Sequence, residues 1–452
     1  MQQFCWFWQD AAKPLIKSAY FSDWPSQSSV AQGFIVVKVL VLGAGVIGTT
    51  ASYFLARDGH SVTVVDRRAA PGEETSFANG GQLSASGARP WANPGVPRLL
   101  LSWLGKPDAP LVFRPRVDPV LWRWTLSFLA NCLPARTEAN SANILRLAFF
   151  SRTAMESVIA ETSLAFDHQR RGILHVFRTQ AAFEKSVGEA KELTRLGLTF
   201  ETIERERIRQ LEPALAPALP RLAGAMFCPD DGFGDAHTFT VELAKRAQAM
   251  GVDFKLSTTI QAIRAERDRV TGIVTDQGTL EADLYVVALG SFSPLMVKSL
   301  GLRLPIVPAK GYSATVPILD ARAAPLLSVT DEERKVVITP LGQRLRIAGT
   351  AEFAGYNEQL NEGRAKSVLT DGLDLFPGAG DPSQATLWTG LRPLTPDGAP
   401  ILGSTRYRNL LLNTGHGTLG WTLAAGSAQV IASLASGKEP GVDLSGLTLA
   451  RF

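Results

Sequence analysis

The feature that most constrains the fold is a strand–loop–helix–strand pattern in residues 38–67, which read KVLVLGAGVIGTTASYFLARDGHSVTVVDR. Residues 39–42 are wholly apolar, which is typical of a strand buried on both faces of a parallel sheet. Residues 46–55 carry small and apolar side chains at helical spacing, and a second strand ends at Asp66. The pattern predicts a βαβ unit at the start of a parallel sheet.

The loop of this unit holds Gly43, Gly45 and Gly48 in G-x-G-x-x-G spacing. The first glycine permits a tight turn, the second lets a diphosphate approach the backbone, and the third lets the helix pack on the strand. The helix N-terminus offers free N–H groups to the phosphates. Asp66 lies 23 residues after Gly43, where its carboxylate can bind a ribose diol. We predict a dinucleotide site; the alternative is a purely structural turn.

Two later segments bear on whether the dinucleotide is FAD or NAD. Residues 73–84, EETSFANGGQLS, combine polar side chains (Thr75, Ser76, Asn79) with paired glycines, and such a loop can lie against a flat ring. Residues 282–294, ADLYVVALGSFSP, form a buried strand that follows a predicted strand and β-meander. This order is typical of FAD domains of the glutathione-reductase type.

Composition sets further bounds. The 452 residues are 45% hydrophobic, which suits two domains. A formal charge of +4 without dense basic runs argues against nucleic acid, and Arg67 and Arg68 are interpreted as solvated charges because Asp66 would repel a 2′-phosphate. Three dispersed cysteines, Cys132 among them, form no metal or redox motif. We therefore expect a reducing, cytoplasmic compartment and no metal.

Residues 1–36 show neither a basic start nor an uninterrupted apolar segment, so they do not resemble a signal peptide. They are either a poorly ordered arm or residues upstream of a true start near Val37. We favour the second interpretation because a recognisable domain begins immediately afterwards.

Residues 412–426, LNTGHGTLGWTLAAG, place several glycines around His416 and then become helical. Gly415, Gly417 and Gly420 would let backbone N–H groups contact a flavin ring. The helix N-terminus carries about half a positive charge, which at ~4 Å and a dielectric near 20 stabilises the reduced ring by about 2 kcal/mol. We predict that this segment closes over the flavin. His416 either contacts the ring edge or substrate, or orients the loop.

Seven segments resemble the D-amino acid dehydrogenase family, flavoproteins related to glycine oxidase, sarcosine oxidase and D-amino acid oxidase. In order along the chain they are VLGAGVIG, ETSFANGGQLS, WANPGVP, GDAHTFT, KGYSATVPI, WTGLRPLTPDG and NTGHGTLGWTLAAGS. The resemblance implies non-covalent FAD and oxidative deamination of D-amino acids, typically D-alanine, to 2-oxo acids and ammonia, with a quinone as acceptor. Ala236 and His237 replace the expected Cys and Gln, which loosens the expectation about substrate preference.

Oxidation at Cα requires an electron sink, which the flavin provides by accepting a hydride at N5. The chain has no GxSxG or HExxH motif and only five histidines, so the protein's contribution is expected to be orientation and electrostatics. From the match to related oxidases, Arg392 is expected to grip the substrate carboxylate, with Tyr312 donating a second hydrogen bond. The alternatives are a structural arginine in a proline turn and a packing tyrosine.

The expected catalytic residues are therefore Arg392, Tyr312 and His416. The expected FAD-binding residues come from the βαβ unit, the polar loop, the later strand and the C-terminal loop: Val39, Leu40, Val41, Leu42, Gly43, Ala44, Gly45, Val46, Ile47, Gly48, Thr49, Thr50, Ala51, Ser52, Tyr53, Asp66, Arg67, Thr75, Ser76, Asn79, Gly80, Gly81, Gln82, Gly290, Gly415, Gly417, Thr418, Leu419 and Gly420.

The remaining segments predict an α+β substrate domain on an antiparallel sheet, interleaved with a Rossmann-like α/β FAD domain. Its strands are RGILHVFR, VPAKGYSATVPIL and a hairpin that turns near residues 341–343, beside helices at 140–162 and 181–196. The predicted FAD-domain parts are 37–100, 225–303 and 388–452, and the substrate-domain parts are 101–224 and 304–387.

Residues 91–134 hold four tryptophans and scattered arginines, a combination that suits a membrane interface, although core helices give the same pattern. A peripheral contact with the cytoplasmic face of the inner membrane is therefore an open alternative.

The alternatives to the expected function are an oxidase or dehydrogenase of glycine, sarcosine or a cyclic imino acid such as a D-proline derivative, and a redox-sensing flavoprotein without catalysis. An NAD-dependent reductase leaves the C-terminal loop unexplained.

Overall fold

The computed structural model describes residues 36–103, 109–114 and 117–452. The expectation about the N-terminal arm therefore falls outside the described residues except at Val36. Residues Val36–Phe452 form one compact unit.

The strands, numbered along the chain, are β1 (Lys38–Leu42), β2 (Ser61–Val65), β3 (Gln82–Leu83), β4 (Leu111–Phe113), β5 (Ile173–Phe177), β6 (Glu201–Ile203), β7 (Gly224–Cys228), β8 (Gly232–Phe233), β9 (Asp253–Lys255), β10 (Ile260–Glu266), β11 (Arg269–Thr275), β12 (Gly278–Leu280), β13 (Leu284–Val287), β14 (Val307–Pro317), β15 (Ser328–Asp331), β16 (Val336–Leu341), β17 (Arg344–Phe353), β18 (Thr386–Leu394), β19 (Ile401–Ser404) and β20 (Leu410–Thr414). The α-helices are α1 (Val46–Arg57), α2 (Val96–Trp103), α3 (Pro119–Asn131), α4 (Pro134–Thr162), α5 (Gln180–Thr194), α6 (Arg205–Leu211), α7 (Ala236–Ala249), α8 (Ser293–Val297), α9 (Glu362–Leu375) and α10 (Gly420–Ala435).

A six-stranded sheet has the order β19–β20–β13–β1–β2–β9, and all its pairs are parallel except β19–β20. β1 is buried on both faces, as its apolar sequence predicts. Val39 and Val41 pack in a cluster with residues of α1, α7 and α10, whereas Leu40 and Leu42 pack on the other face with β11. The predicted β-meander is the antiparallel sheet β10–β11–β12.

A nine-stranded sheet has the order β18–β14–β17–β16–β15–β5–β7–β6, with β4 beside β17. It is mixed rather than purely antiparallel, because β15–β5 and β17–β4 are parallel pairs. One face carries Ile338 and Ile347, which pack in the same core cluster as Val368 of α9. Because side chains alternate along a strand, the intervening residues point to the opposite face.

The sequence pattern predicted most ends of helices and strands to within a few residues of where the structure has them. The hairpin β16–β17 turns at Gly342, as predicted. α4 begins at Pro134, earlier than the predicted residue 140, because proline occupies its first turn after an extended Leu133. The predicted boundary at 224/225 falls after the first residue of β7, and the boundary at 387/388 falls inside β18.

Within the described residues, no helix is both long and apolar enough to cross a bilayer.

Candidate active site

A cavity of about 1070 Å³ lies between the carboxyl ends of β1, β13 and β20 and the nine-stranded sheet. Most of the predicted site residues line it: Gly43, Gly45, Val46, Ile47, Asp66, Arg67, Thr75, Ser76, Asn79, Gly80, Gln82, Gly290, Tyr312, Arg392, His416, Gly417, Thr418, Leu419 and Gly420. The other predicted FAD-binding residues do not line it: they are residues 39–42, Ala44, residues 48–53, Gly81 and Gly415. Among these, residues 39–42 belong to β1 and residues 48–53 to α1, and they support the site from behind.

The glycine loop between β1 and α1 is shaped by close backbone packing. Gly43 has a φ of 107°, and a Cβ atom there would come within 2.6 Å of the Ala288 carbonyl oxygen. A Cβ at Gly45 would meet only Ser76 Oγ, at 3.5 Å, so the backbone is open towards the cavity. The Val46 N–H donates to Ser76 Oγ over 3.0 Å. These features form the cradle that a diphosphate requires at a helix N-terminus.

Asp66 closes the βαβ unit at the end of β2. Its carboxylate accepts hydrogen bonds from the N–H groups of Ala44 (2.7 Å) and Arg68 (2.8 Å), and burial raises its pKa. Arg67 and Arg68 both pair with Glu74 at 2.6 Å, and both remain exposed to solvent, as predicted. Because these arginines already have a carboxylate partner, the loop is suited to a free ribose diol and not to a 2′-phosphate.

The polar loop after β2 is anchored to the nine-stranded sheet by its side chains. Thr75 Oγ1 donates to the Leu391 carbonyl oxygen at 2.9 Å. Gln82 Nε2 donates to the hydroxyls of Ser328 and Thr330, each at 3.0 Å. These side-chain hydrogen bonds therefore hold the loop in place where it lines the cavity.

The C-terminal loop enters α10 through two left-handed glycines. Gly415 has a φ of 77° and Gly417 a φ of 57°, and the Gly417 N–H donates to the Pro393 carbonyl oxygen over 3.0 Å. α10 begins at Gly420 without a side-chain cap, and residues of its first turn line the cavity. Its uncapped N–H groups and positive dipole end therefore face the cavity.

His416 lies inside this loop and is 2% exposed. Its Nε2 is 3.0 Å from Ser427 Oγ in α10, and burial lowers its pKa to about 3. The ring is therefore neutral at ordinary pH and ties the loop to the helix. This is the arrangement expected of a residue that orients the loop.

Arg392 of β18 opens onto the cavity with its guanidinium packed over Gly311, where even a Cβ atom would clash. Its Nη1 donates to the Thr350 carbonyl oxygen at 2.9 Å, and it forms no ion pair with any residue that the structure describes. Burial alone lowers its pKa to about 10. A half-buried guanidinium that opens onto a cavity and has no counter-ion among the described residues is a ready binding site for a carboxylate, to which it can present two parallel N–H groups.

Tyr312 is placed differently from the expectation. β14 and β18 pair Ala309 with Arg392, so Tyr312, three residues further along β14, points to the other face of the sheet. It packs in the core cluster beneath α9, and its hydroxyl donates to Glu352 at 2.5 Å. The hydroxyl proton is committed to Glu352, although the residue borders the cavity.

Two polar groups on the cavity wall were not singled out from the sequence. Asn413, at the end of β20, is completely buried, and neither atom of its amide has a hydrogen-bond partner among the described residues. The buried Trp421 Nε1, in the first turn of α10, is also unpaired within that part of the chain. The available signal was a polar residue ending a wholly apolar strand.

An ion pair between buried His175 and half-buried Glu332 on the same wall was also missed, because the two residues are far apart in sequence. His175 Nδ1 is 2.8 Å from Glu332 Oε1, and its Nε2 is 3.2 Å from Ser86 Oγ. Burial opposes the charged ring, but hydrogen bonds with Cys228 and Glu332 outweigh it and raise the pKa of His175 to about 10. The sequence indicated only that RGILHVFR forms a strand.

These observations fit FAD. Along one edge of the six-stranded sheet the chain provides a carboxylate for a ribose, a glycine cradle for a diphosphate, unpaired buried polar groups, and a helix N-terminus for the electron-rich end of a ring. The described residues contain no cluster of three or more metal-ligating side chains. Fold and site together define an FAD-binding oxidoreductase whose two large sheets are built from alternating stretches of the chain.

Comparison with known proteins makes the assignment specific. The profile of the family DAO, described as FAD dependent oxidoreductase, matches residues 38–434, and the chain belongs to this family. The predicted resemblance, the FAD-binding fold and the class of enzyme are confirmed.

Curated relatives are similar over almost their whole length. The D-amino acid dehydrogenase of Paramagnetospirillum magneticum is 51% identical over 417 residues, which cover 92% of this chain and 99% of that protein. The D-amino acid dehydrogenase of Bradyrhizobium diazoefficiens is 48% identical over 416 residues, with the same coverage. Among solved structures, glycine oxidase from Geobacillus kaustophilus superposes with a TM-score of 0.72 at 24% identity, covering 92% of this chain and 100% of that one, and shows the shared fold.

Proposed function

We propose that this FAD-dependent oxidoreductase oxidises D-amino acids at Cα to 2-oxo acids and ammonia. The observation that carries the proposal is Arg392, a half-buried guanidinium that opens onto the FAD cavity and lacks an ion-pair partner among the described residues. Relatives named D-amino acid dehydrogenase, at 45–51% identity, support the same substrate class.

The contribution of the chain is to bind and orient. FAD, when bound, supplies the acceptor for the hydride that leaves Cα. Arg392 would hold the substrate carboxylate, and its burial strengthens that ion pair because the surroundings screen charge poorly. The N-terminus of α10 places N–H groups and a positive dipole end where negative charge develops. His416 stays neutral and keeps the loop against α10.

We further propose D-alanine as the preferred substrate and a quinone, rather than O₂, as the electron acceptor. The family resemblance supports both. A quinone dissolved in a bilayer requires the enzyme to reach the membrane surface, and α3 offers a suitable face.

The outer side of α3 is apolar, although its inner side already packs in the core. Leu121, Trp124 and Phe128 are buried at helical spacing. An exposed stripe follows the opposite side, with exposures of 53% at Trp122, 69% at Leu126 and 40% at Leu129, and it continues just beyond the helix to Leu133, which is 57% exposed. Exposed Arg123 and Arg136 lie close to it in sequence. An apolar stripe beside basic residues suits an anionic lipid surface.

The experiment is a stoichiometric assay of the holoenzyme with D-alanine and a water-soluble short-chain ubiquinone. We expect one 2-oxo acid, one ammonia and one reduced quinone per turnover, with little hydrogen peroxide in air. Faster turnover of glycine or sarcosine, with peroxide equal to product, would instead identify an amine oxidase on the same scaffold.

A further inference from the structure

Asn413 stands out because the structure leaves its side chain unsatisfied. It is 0% exposed, and both Nδ2 and Oδ1 lack partners among the described residues. Asn409, just before the same strand, provides the contrast: its Oδ1 accepts from the Val270 N–H at 2.8 Å, and its Nδ2 donates to the Val270 carbonyl oxygen at 2.9 Å. A buried amide without partners is destabilising, so the lining position of Asn413 indicates that a ligand completes it.

The position of Asn413 along the sheet indicates which part of the ligand it meets. β2, β1, β13 and β20 are consecutive neighbours in this parallel sheet and present their carboxyl ends at one edge. Asp66 follows β2, Gly43 follows β1, and Asn413 lies at the end of β20. At about 4.8 Å per strand, Asn413 is roughly 10 Å from Gly43, on the side away from Asp66.

The order of groups in FAD matches this order of residues. Its adenosine ribose, diphosphate, ribityl chain and ring are joined in line. If the ribose lies at Asp66 and the diphosphate at the glycine loop, the ribityl chain is the next group along the edge. The ring then reaches the N-terminus of α10, whose first turn lines the same cavity.

We propose that the Asn413 amide binds the hydroxyl groups of the FAD ribityl chain. A primary amide offers two N–H donors and a carbonyl acceptor, and successive hydroxyls both accept and donate, so the two are complementary. The proposal needs the FAD site but not a D-amino acid substrate. It can therefore hold where the proposed function fails, and it can fail where that function holds.

The experiment is a cofactor competition on the holoenzyme. The enzyme is equilibrated with mixtures of FAD and an FAD analogue that lacks one ribityl hydroxyl, tested in turn at each position, and the bound ratio is measured after denaturation. We expect the wild type to prefer FAD over at least one analogue by roughly tenfold or more. Asn413→Leu, which keeps the branched shape of the side chain but removes both polar atoms, should make the enzyme bind FAD and that analogue about equally well.

Asn409→Leu is the matched control, because it removes a satisfied buried amide beside the same strand. It should lower the melting temperature and leave the wild-type preference intact. A wild type indifferent to every analogue, or an Asn413→Leu variant with the wild-type preference, would overturn the proposal. If Asn413→Leu does not fold, Asn413→Ala removes the whole amide without adding volume, and a wild-type preference in that variant has the same meaning.

Discussion

At the residue scale, Arg392 combines partial burial with the absence of an ion-pair partner in the described chain, and each property has a measurable effect. Poor solvation disfavours the charged guanidinium and lowers its pKa, so we expect this charge to cost stability in the substrate-free protein. The same desolvated guanidinium gains most when a carboxylate arrives. Function and stability are therefore expected to change in opposite directions when the residue is replaced.

Arg392→Leu should lower kcat/KM for D-alanine by roughly 10²- to 10³-fold, because the substrate carboxylate would lose a desolvated partner. The same change should raise the free energy of unfolding of the substrate-free holoenzyme by about 1–3 kcal/mol. Steady-state kinetics and chemical denaturation measure the two effects. Arg451→Leu is the control, because Arg451 is paired with Asp397 at 2.6 Å and its loss should destabilise the fold. Reduced stability in both variants would contradict the account of Arg392.

His416 gives a pH dependence of known sign. Its pKa is about 3 in the folded protein against 6.5 when exposed, so between these values only the unfolded chain binds the proton. Stability is therefore fully present above pH 6.5 and falls as the pH drops towards 3, by up to about 1.4 kcal/mol per pH unit. Between pH 4.5 and 7, denaturation curves should show that the free energy of unfolding falls less steeply with decreasing pH in His416→Gln than in the wild type. A parallel decline in both proteins would show that His416 is not buried in the neutral form.

At the element scale, the βαβ unit should owe its cofactor affinity to packing at Gly43 rather than to glycine flexibility in general. Gly43 and Gly59 both have positive φ, 107° and 88°, but a Cβ at Gly59 would meet nothing within 4 Å. Gly59→Ala should therefore lose about 1–2 kcal/mol of stability and keep its FAD. Gly43→Ala should be purified largely without flavin, because its Cβ would push the loop away from Ala288. The measurement is the amount of flavin bound per protein chain after purification, and equal amounts in the two variants would refute the argument.

The comparison of elements also shows what the sequence could predict. The βαβ unit and the β16–β17 hairpin follow from periodicity and turn residues within short stretches of chain. The face on which Tyr312 lies does not, because it depends on the register between β14 and β18, which pairs Ala309 with Arg392 across a long separation in sequence. The open amide of Asn413 and the His175–Glu332 pair likewise depend on strands that are distant in sequence. Arg392 was identified because a whole motif surrounds it.

At the scale of the whole molecule, the exposed stripe on α3 predicts how the enzyme meets its electron acceptor. The holoenzyme should sediment with vesicles of phosphatidylglycerol and phosphatidylcholine, less so at high salt. The double variant Trp122→Glu/Leu126→Glu should bind at least about tenfold more weakly, because two apolar side chains no longer enter the interface. Leu295→Glu is the control, since Leu295 is 52% exposed on α8, away from α3 in sequence. Equal loss in both variants, or none in the double variant, would remove α3 as the contact.

The central claim is that one cavity holds FAD and the carboxylate of a D-amino acid together. An anaerobic titration of the holoenzyme with D-alanine and then L-alanine, followed in the flavin absorbance near about 450 nm, tests this most directly because reduction belongs to the bound cofactor. The account predicts bleaching by the D isomer alone, and loss of that bleaching in Arg392→Leu at the same substrate concentration. A flavin that neither D-alanine nor any other D-amino acid reduces would contradict it.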